Sequence, residues 1–522
     1  MSHIYVPSRP KSFNFLYAIS CLSALFLSGC SITPKPITQA EQKELQDLDR
    51  ANTYKDVEMV GITMPLSEAV ARGLKYNLDY RAKMMEQAIA LGTLEASRYD
   101  MLPKVLANAG YNYRNNYFIT EATGAYSGNP SLNEPFVNSS RTYGVAGLAL
   151  SWNLLDFGVS YYSAKQNADS VLVASERRRK TMHLLVQDIQ ISYLRAASAQ
   201  KLKDNLLRTI QQANKAIANS KANRRDSIAD PLEALRYQKS LLDNVKILQT
   251  IDQELSTALI ELNQLINLPA NTSYILEDPE KIQAPSSYAK TDIEEFELRA
   301  LAHNADMKES IYKARMAVLE TRKSLLRLLP GLNFNYGPQT SNNAYYINKN
   351  WIEGAAQVSF NLWNLLMAPQ VKRNAQANEE LANQRRMMAQ MAVISQVYLA
   401  KQQLGFADEI YRRSVEIDEV DFKIAKITTE RYRAGDASEA EKIAADAFSI
   451  LSRLRKYQAL SQLYAASGRL QATAGLEPDI GSVNDISLSE LTSAMRNTFQ
   501  RWNSGKLPPL SLADAGPTHE KK

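Results

Sequence analysis

Cysteine and histidine are nearly missing from this 522-residue chain. There are two cysteines, Cys21 and Cys30, and four histidines, His3, His183, His303 and His519. Two cysteines so close to the N-terminus exclude a disulfide framework for the body of the protein. The scattered histidines form no H-E-x-x-H, and neither C-x-x-C nor a G-x-x-x-x-G-K-[ST] phosphate loop is present. Hydrolytic, metal-dependent and nucleotide-driven chemistry therefore lack their usual residues, and neither a cofactor nor a metal is expected. Glycine and proline are scarce too. With 20 Gly and 19 Pro, each is about 4% of the chain, below the usual 7% and 5% or so. That favours long helices over turn-dense folds. The net charge of +6 is small for the length, and no basic block marks a nucleic-acid groove.

Long apolar runs are also lacking. The N-terminus has Arg9 and Lys11, then a short, mostly apolar run from Phe15 to Leu27, ending in Leu27-Ser28-Gly29-Cys30. This has the length of a signal peptide's apolar region and is too short to span a bilayer as a helix. Small residues before a cysteine resemble the bacterial lipobox, with Cys30 as the lipidated first residue after cleavage. The plainer alternative is an ordinary signal peptide with an incidental cysteine. Ser31 after the cysteine resembles an outer-membrane address. No later stretch reaches the roughly 18 uninterrupted apolar residues of a spanning helix. If the mature chain crosses a membrane, it must do so with strands.

What the sequence does contain is a repeat. Leu74-Lys75-Tyr76-Asn77-Leu78-Asp79 matches Leu301-Ala302-His303-Asn304-Ala305-Asp306 at an offset of 227, as Met101-Leu102-Pro103 matches Leu328-Leu329-Pro330. Ser151-Trp152-Asn153-Leu154 matches Ser359-Phe360-Asn361-Leu362 at 208, as Leu268-Pro269 meets Leu476-Glu477. Two constant offsets mean one duplication with one length change of 19 residues (227 − 208), located between Pro103 and Ser151. The exposed-looking loop 119–140 is its natural place.

Each half reads as helix, strand pair, very long helix, turn, long helix. Residues 159–230 and 232–268 contain neither Gly nor Pro. As one helix the first stretch would span roughly 100 Å. In the second, Leu241, Val245, Leu248, Leu255, Leu259, Leu262 and Ile266 form a coiled-coil seam. The second half repeats this in 370–434 and 436–474, broken only by Gly405, Gly435 and Gly468. Strands are expected at 105–113, 143–154, 332–336 and 351–362, apolar on one face and polar or small on the other, as in transmembrane barrels. In the last of them Val358 faces lipid and Gln357 the lumen. Soluble hairpins packed on the rods are the alternative. Four strands cannot close a barrel, and an open edge in lipid is forbidden, so a membrane reading requires an oligomer.

An exported lipoprotein with two such repeats resembles the TolC-type outer membrane factor family. The motifs that carry the resemblance are Ala69-Val70 through Asn77, Leu102-Pro103, Ser151 to Gly158, their second-half copies, Tyr432-Arg433-Ala434-Gly435 and Ala474-Gly475-Leu476. The resemblance implies a mainly α fold with a membrane hairpin per repeat. It implies a homotrimer whose twelve-stranded barrel, four strands per chain, continues into a long periplasmic helical barrel. It also implies a periplasmic adaptor and an inner-membrane transporter as partners, outer membrane lipid around the barrel, and no catalysis. The expected segments are 1–29, signal peptide; 30–64, N-terminal periplasmic segment; 65–270, first repeat; 271–290, linker; 291–478, second repeat; and 479–522, a polar tail with one amphipathic stretch at 488–502. The leading function is the exit duct of a tripartite small-molecule efflux system. A type I protein secretion duct is the alternative within the fold, and a soluble periplasmic coiled-coil adaptor is the alternative outside it.

The candidate site lies at the helix turns. Asp230-Pro231-Leu232-Glu233 and Ser438-Glu439-Ala440-Glu441, 208 residues apart, both have helix-starting form: a capping residue with Glu at the third position. By resemblance the second turn is the periplasmic aperture, with Tyr432 before Gly435 and Glu441 on the returning helix. Asp436 and Glu439 are further acidic candidates. Ala437 and Ala444 replace residues of the family's latch. Cap and gate both remain open for Glu441. The acidic residues Asp292, Glu294 and Glu295 read as a charged first turn, Arg177 to Lys180 as a solvated face, and Met387, Met388 and Met391 as packing.

Overall fold

The structure is a computed structural model. It describes residues 34–130, 134–223, 231–285, 287–481, 483 and 485–508. Cys30, Asp230 and the side chain of Glu233 lie outside the described part.

The chain divides into two compact units, Met1–Asp56 and Val57–Lys522. In the first, α1 (Gln39–Thr53) begins with a reciprocal cap: Thr38 N–H donates to Glu41 Oε2 at 2.9 Å, and Glu41 N–H donates to Thr38 Oγ1 at 3.3 Å. The second unit holds everything else, including residues 57–64, which the sequence reading had assigned to the N-terminal segment.

The first repeat runs β1 (Thr63–Met64), α2 (Leu66–Tyr76), α3 (Leu78–Tyr99), β2 (Lys104–Tyr113), β3 (Phe118–Thr120), β4 (Phe136–Ser139), β5 (Thr142–Asn153), α4 (Leu154–Asn223), α5 (Pro231–Ser256) and α6 (Ala258–Leu265). A short β6 (Ile275–Leu276) in the linker pairs in parallel with β1. The second repeat runs α7 (Ile293–His303), α8 (Ala305–Leu326), β7 (Gly331–Ser341), β8 (Asn350–Ser359), α9 (Trp363–Ala434) and α10 (Glu439–Ala474), followed by α11 (Leu488–Asn503). The 70-residue α4 and 72-residue α9 are the expected rods, each about 105 Å long at 1.5 Å per residue.

Several boundaries differ from the expectation. The second long helix of the first repeat breaks at Thr257 into α5 and α6. Helix α9 starts before residue 370 and carries Pro369 in its second turn. Strand β7 continues to Ser341. The loop with the extra residues forms its own hairpin of β3 and β4.

The four long strands make one antiparallel sheet in the order β2-β5-β7-β8. Directly opposed residues share a face, so the register tests the alternation read from the sequence. Across the sheet, Val105 opposes Leu150, Leu150 opposes Tyr336, Trp152 opposes Phe334, and Leu332 opposes Val358. One apolar face therefore continues through all four strands. The other face holds Asn108, Ser151, Asn335, Asn333 and Gln357. The β5–β7 pairing lapses at Leu148 and Ala149, beside Gly337 and Pro338. Pro338 has no N–H to give the ladder. Among the described residues no strand covers the outer edge of β2 or β8.

The main core lies midway along the rods. It joins α2, α7 and α11 to the central stretches of α4 and α9 and the C-terminal half of α10, with Val70, Leu74, Ile189, Leu194, Phe296, Val397, Leu404, Leu463 and Leu491 buried. Two smaller clusters continue along α4, α5 and α10 and include the predicted seam residues Leu241, Val245 and Leu248. Helix α11 resolves the 488–502 stretch: its buried Leu488, Leu491, Met495 and Trp502 belong to the core.

The duplication is written in hydrogen bonds. Asn77 caps α3 by accepting from Tyr80 N–H (3.0 Å), and its Nδ2 donates to the Leu265 carbonyl (3.0 Å). Asn304 does the same for α8, accepting from Met307 N–H (3.1 Å) and donating to the Thr473 carbonyl (3.0 Å). Asn267 and Gly475, 208 residues apart, are both left-handed, with φ of 55° and 67°. Tyr193 and Lys401 are also 208 apart. The Tyr193 hydroxyl donates to the Met64 carbonyl (2.7 Å). Lys401 Nζ donates to the equivalent carbonyl of Thr291 (2.5 Å), and to those of Tyr288 (2.6 Å) and Ala289 (3.0 Å).

Two surface readings change. Arg177 pairs with Glu309 (2.9 Å), Lys180 with Asp306 (2.8 Å), and Arg179 with Glu176 and Glu477. This basic run braces α4 against α8 and the turn after α10, rather than forming a simple solvated face. Met387, Met388 and Met391 are exposed on α9, at 43%, 66% and 65%, so packing within the chain covers them only in part. Asp292 caps α7 by accepting from Glu294 N–H at 3.3 Å, as its charged first turn implied.

One buried group makes stability depend on pH. Burial, helped by neighbouring Arg179, lowers the His183 pKa to about 4. The folded chain keeps this imidazole neutral, while the unfolded chain protonates it near pH 6.5. Its contribution is complete above pH 6.5 and is lost as pH falls toward 4, on the order of 3 kcal/mol per chain. Thermal melts from pH 7 to 5 should therefore fall less steeply for His183→Gln than for wild type. Equal slopes would contradict the assignment.

Candidate functional site: the turn between α9 and α10

Helix α9 stops because Gly435 takes the left-handed conformation, φ 85°. The Asp436 N–H then donates back to the Arg431 carbonyl (2.8 Å), and the Gly435 N–H to the Tyr432 carbonyl (3.1 Å). Arg431 returns a side-chain bond to the Asp436 carbonyl (2.9 Å). Two residues later α10 begins with a full capping box: the Ser438 N–H donates to Glu441 Oε2 (2.8 Å), and the Glu441 N–H donates to Ser438 Oγ (3.2 Å). These bonds hold the exposed Glu441 carboxyl below the usual range, so it is ionised at neutral pH.

Tyr432, Gly435, Asp436, Ser438, Glu439 and Glu441 are thus gathered at one helix end, as the sequence order implies. Tyr432 is 39% exposed, and Lys442 Nζ lies 5.8 Å from its ring centroid. Lys442 also donates to Gln212 Oε1 on α4 (3.2 Å), so this contact couples the turn to the first repeat. Behind the turn Ala440 and Ile443 are buried with Ala213, Ala216, Leu241 and Val245. In the first repeat α5 starts at Pro231, as expected for a first helical position.

Sequence reasoning missed the cleft beside this turn. A cavity of about 640 Å³ opens between α4, α9 and α10. Arg208, Lys426, Arg433, Lys442 and Arg453 line it, with Glu430 and Asp446. Burial raises the Asp446 carboxyl above its ordinary value. The cations come from three helices far apart in sequence, and no single stretch carries the signal. Among the described residues no cluster of His, Cys, Asp and Glu could hold a metal ion. No described helix is long and apolar enough to cross a membrane.

Sheet, rods and turns together define one architecture: a four-stranded antiparallel sheet on two long helical rods, each followed by a returning helix. Sequence comparison matches the chain to no family model and to no curated protein. Its fold, however, is shared with solved channels. The outer membrane channel CmeC of Campylobacter jejuni is similar at a TM-score of 0.61 and 13% identity, with 97% of this chain and 98% of that one covered. The open-state MtrE outer membrane channel of Neisseria gonorrhoeae gives 0.58 and 15%, covering 80% and 91%. The outer membrane protein VceC of Vibrio cholerae gives 0.55 and 12%, covering 78% and 96%. The single-chain fold expected from the resemblance to TolC-type outer membrane factors, mainly α with a strand pair in each repeat, is the fold of this chain.

The turn itself can be tested. No atom lies within 4 Å of a Cβ built on Gly435, so Gly435→Ala introduces only backbone strain, about 1–2 kcal/mol. Ser438→Ala removes the cap, about 1 kcal/mol. Both should speed amide exchange in 436–443 and leave 460–474 protected. Unchanged exchange at the turn would contradict this geometry.

Proposed function

We propose that this chain is one third of a trimeric outer-membrane duct, the exit of a tripartite efflux system conducting small molecules outward. The observation that carries the reading is the four-stranded sheet, with an apolar band running through all four strands on one face and no covering strand at either edge among the described residues, standing on rods of about 105 Å. Three copies joined edge to edge make a closed twelve-stranded barrel, which satisfies every strand in lipid. The unpartnered apolar side chains of α9, among them Trp363, Leu366, Met388, Phe406 and Ile427, supply a helical interface for the same copies. A soluble adaptor has no use for such a sheet. Cys30 carries the lipid anchor. A periplasmic adaptor and an inner-membrane transporter complete the path, and the duct catalyses nothing.

In this reading the α9–α10 turn is the periplasmic aperture. Three-fold symmetry brings three Tyr432 rings and three Glu441 carboxylates around the axis, with Asp436 and Glu439 adding negative charge. Capping does not exclude a role in the pore: Ser438 takes one carboxylate oxygen and the side chain stays exposed. Planar-bilayer recording tests this. Tyr432→Ala should raise mean conductance. Glu441→Gln should weaken cation selectivity and block by divalent cations from the periplasmic side. If normal trimers of both variants conduct, select and block like wild type, these residues are only a turn and its cap.

A further inference from the structure

Arg72 and Arg299 are copies of one residue, 227 positions apart, and so are Glu68 and Glu295. Both arginines are buried, at 2% and 4% exposure. Arg72 is satisfied by its own chain: Nε donates to Glu68 Oε1 (2.9 Å), Nη1 to the Glu58 carbonyl (2.8 Å) and Nη2 to the Met59 carbonyl (2.9 Å). The segment before α2 supplies two of these acceptors.

The second copy is left incomplete. Arg299 Nη2 donates to Glu295 Oε1 (3.1 Å) and to the Pro508 carbonyl, while the buried Nε has no partner among the described residues. Beside the guanidinium lies a cavity of about 250 Å³. Arg299, Arg501 and Lys506 bring positive charge to it, and Tyr288 and Trp502 give it aromatic walls. The carboxylate that lines it, Glu477, is engaged by Arg179. The wall needs glycine at 475: a Cβ there would come within 2.6 Å of the His303 carbonyl oxygen.

We propose that this cavity is a binding site for a small oxyanion of the phosphate class. Such a group offers several acceptor oxygens and negative charge, which suits a guanidinium that has one backbone acceptor where its twin has two, keeps a buried Nε unpartnered among the described residues, and is flanked by two further cations. The cavity is larger than inorganic phosphate, and Tyr288 and Trp502 suit a flat organic body attached to the anion. Bound there, the anion joins α7, the turn after α10 and the segment after α11. The site stands apart from the sheet and the α9–α10 turn, and the proposal does not rest on the conduction reading.

The test uses the detergent-solubilised full chain, with inorganic phosphate and phenyl phosphate as probes against chloride at equal ionic strength. Both should raise the melting temperature saturably, phenyl phosphate at lower concentration. Arg501 and Lys506 are exposed, so the double variant Arg501→Gln, Lys506→Gln should melt like wild type in chloride. It should lose the phosphate-dependent shift, with affinity by calorimetry reduced roughly tenfold or more. A shift no larger than with chloride, or one retained in full by the double variant, would overturn the proposal.

Discussion

The outer edges of β2 and β8 have no partner strand within the described chain, and that constraint governs the rest. Each edge presents a row of backbone N–H and C=O groups. In water they can be solvated, but in hydrocarbon each unpaired group costs several kcal/mol. Four strands are too few to close on themselves. On the proposed reading the sheet's apolar face lies in lipid, and its edges are then satisfied only if another chain completes them. The proposed association therefore rests first on backbone chemistry, before any side-chain interface is considered. The exposed apolar positions along α9 point the same way.

Below the sheet the chain solves one structural problem twice. Helix α4 follows β5 directly, and α9 follows β8 after three residues. Asn153 and Asn361, 208 apart, accept from the N–H groups of Asp156 and Trp363 (both 3.1 Å) and fix the two helix starts. Midway down, Asn77 and Asn304 make the same bond, to the Leu265 carbonyl at the end of α6 and to the Thr473 carbonyl near the end of α10. The copies diverge where the duplication is free to drift. Tyr193 holds its carbonyl with a hydroxyl, whereas Lys401 holds three with an ammonium ion, beside the Phe296 ring at 5.5 Å. Arg72 is closed by backbone and Arg299 is left open. Pseudo-symmetry therefore separates what the fold requires from what one copy has gained.

Much of this was legible in the sequence because its signals are periodic. Alternation at a period of two survives intact in the sheet register, since a slip of one residue would turn every side chain over. The long helices were legible from missing Gly and Pro, and the turn at 435 from glycine followed by a capping box. Features built by distant segments were not legible. The sequence shows α11 only as an amphipathic stretch in a polar tail, because nothing in it says that its apolar face packs into the core beside α2. Arg177 to Lys180 read as solvated because Glu309, Asp306 and Glu477 lie more than a hundred residues away. The cationic cleft beside the turn draws on three helices. Periodicity reports which face of an element is buried, not what it is buried against.

The central claim is that one chain is a third of a closed duct. Electron microscopy of the detergent-purified full chain tests it most directly. The account predicts a particle with three-fold symmetry, a short barrel inside the detergent belt, and a hollow helical tube extending about 100 Å from it. A monomeric particle, or an assembly of another symmetry with its β2 and β8 edges still unpaired, would contradict it.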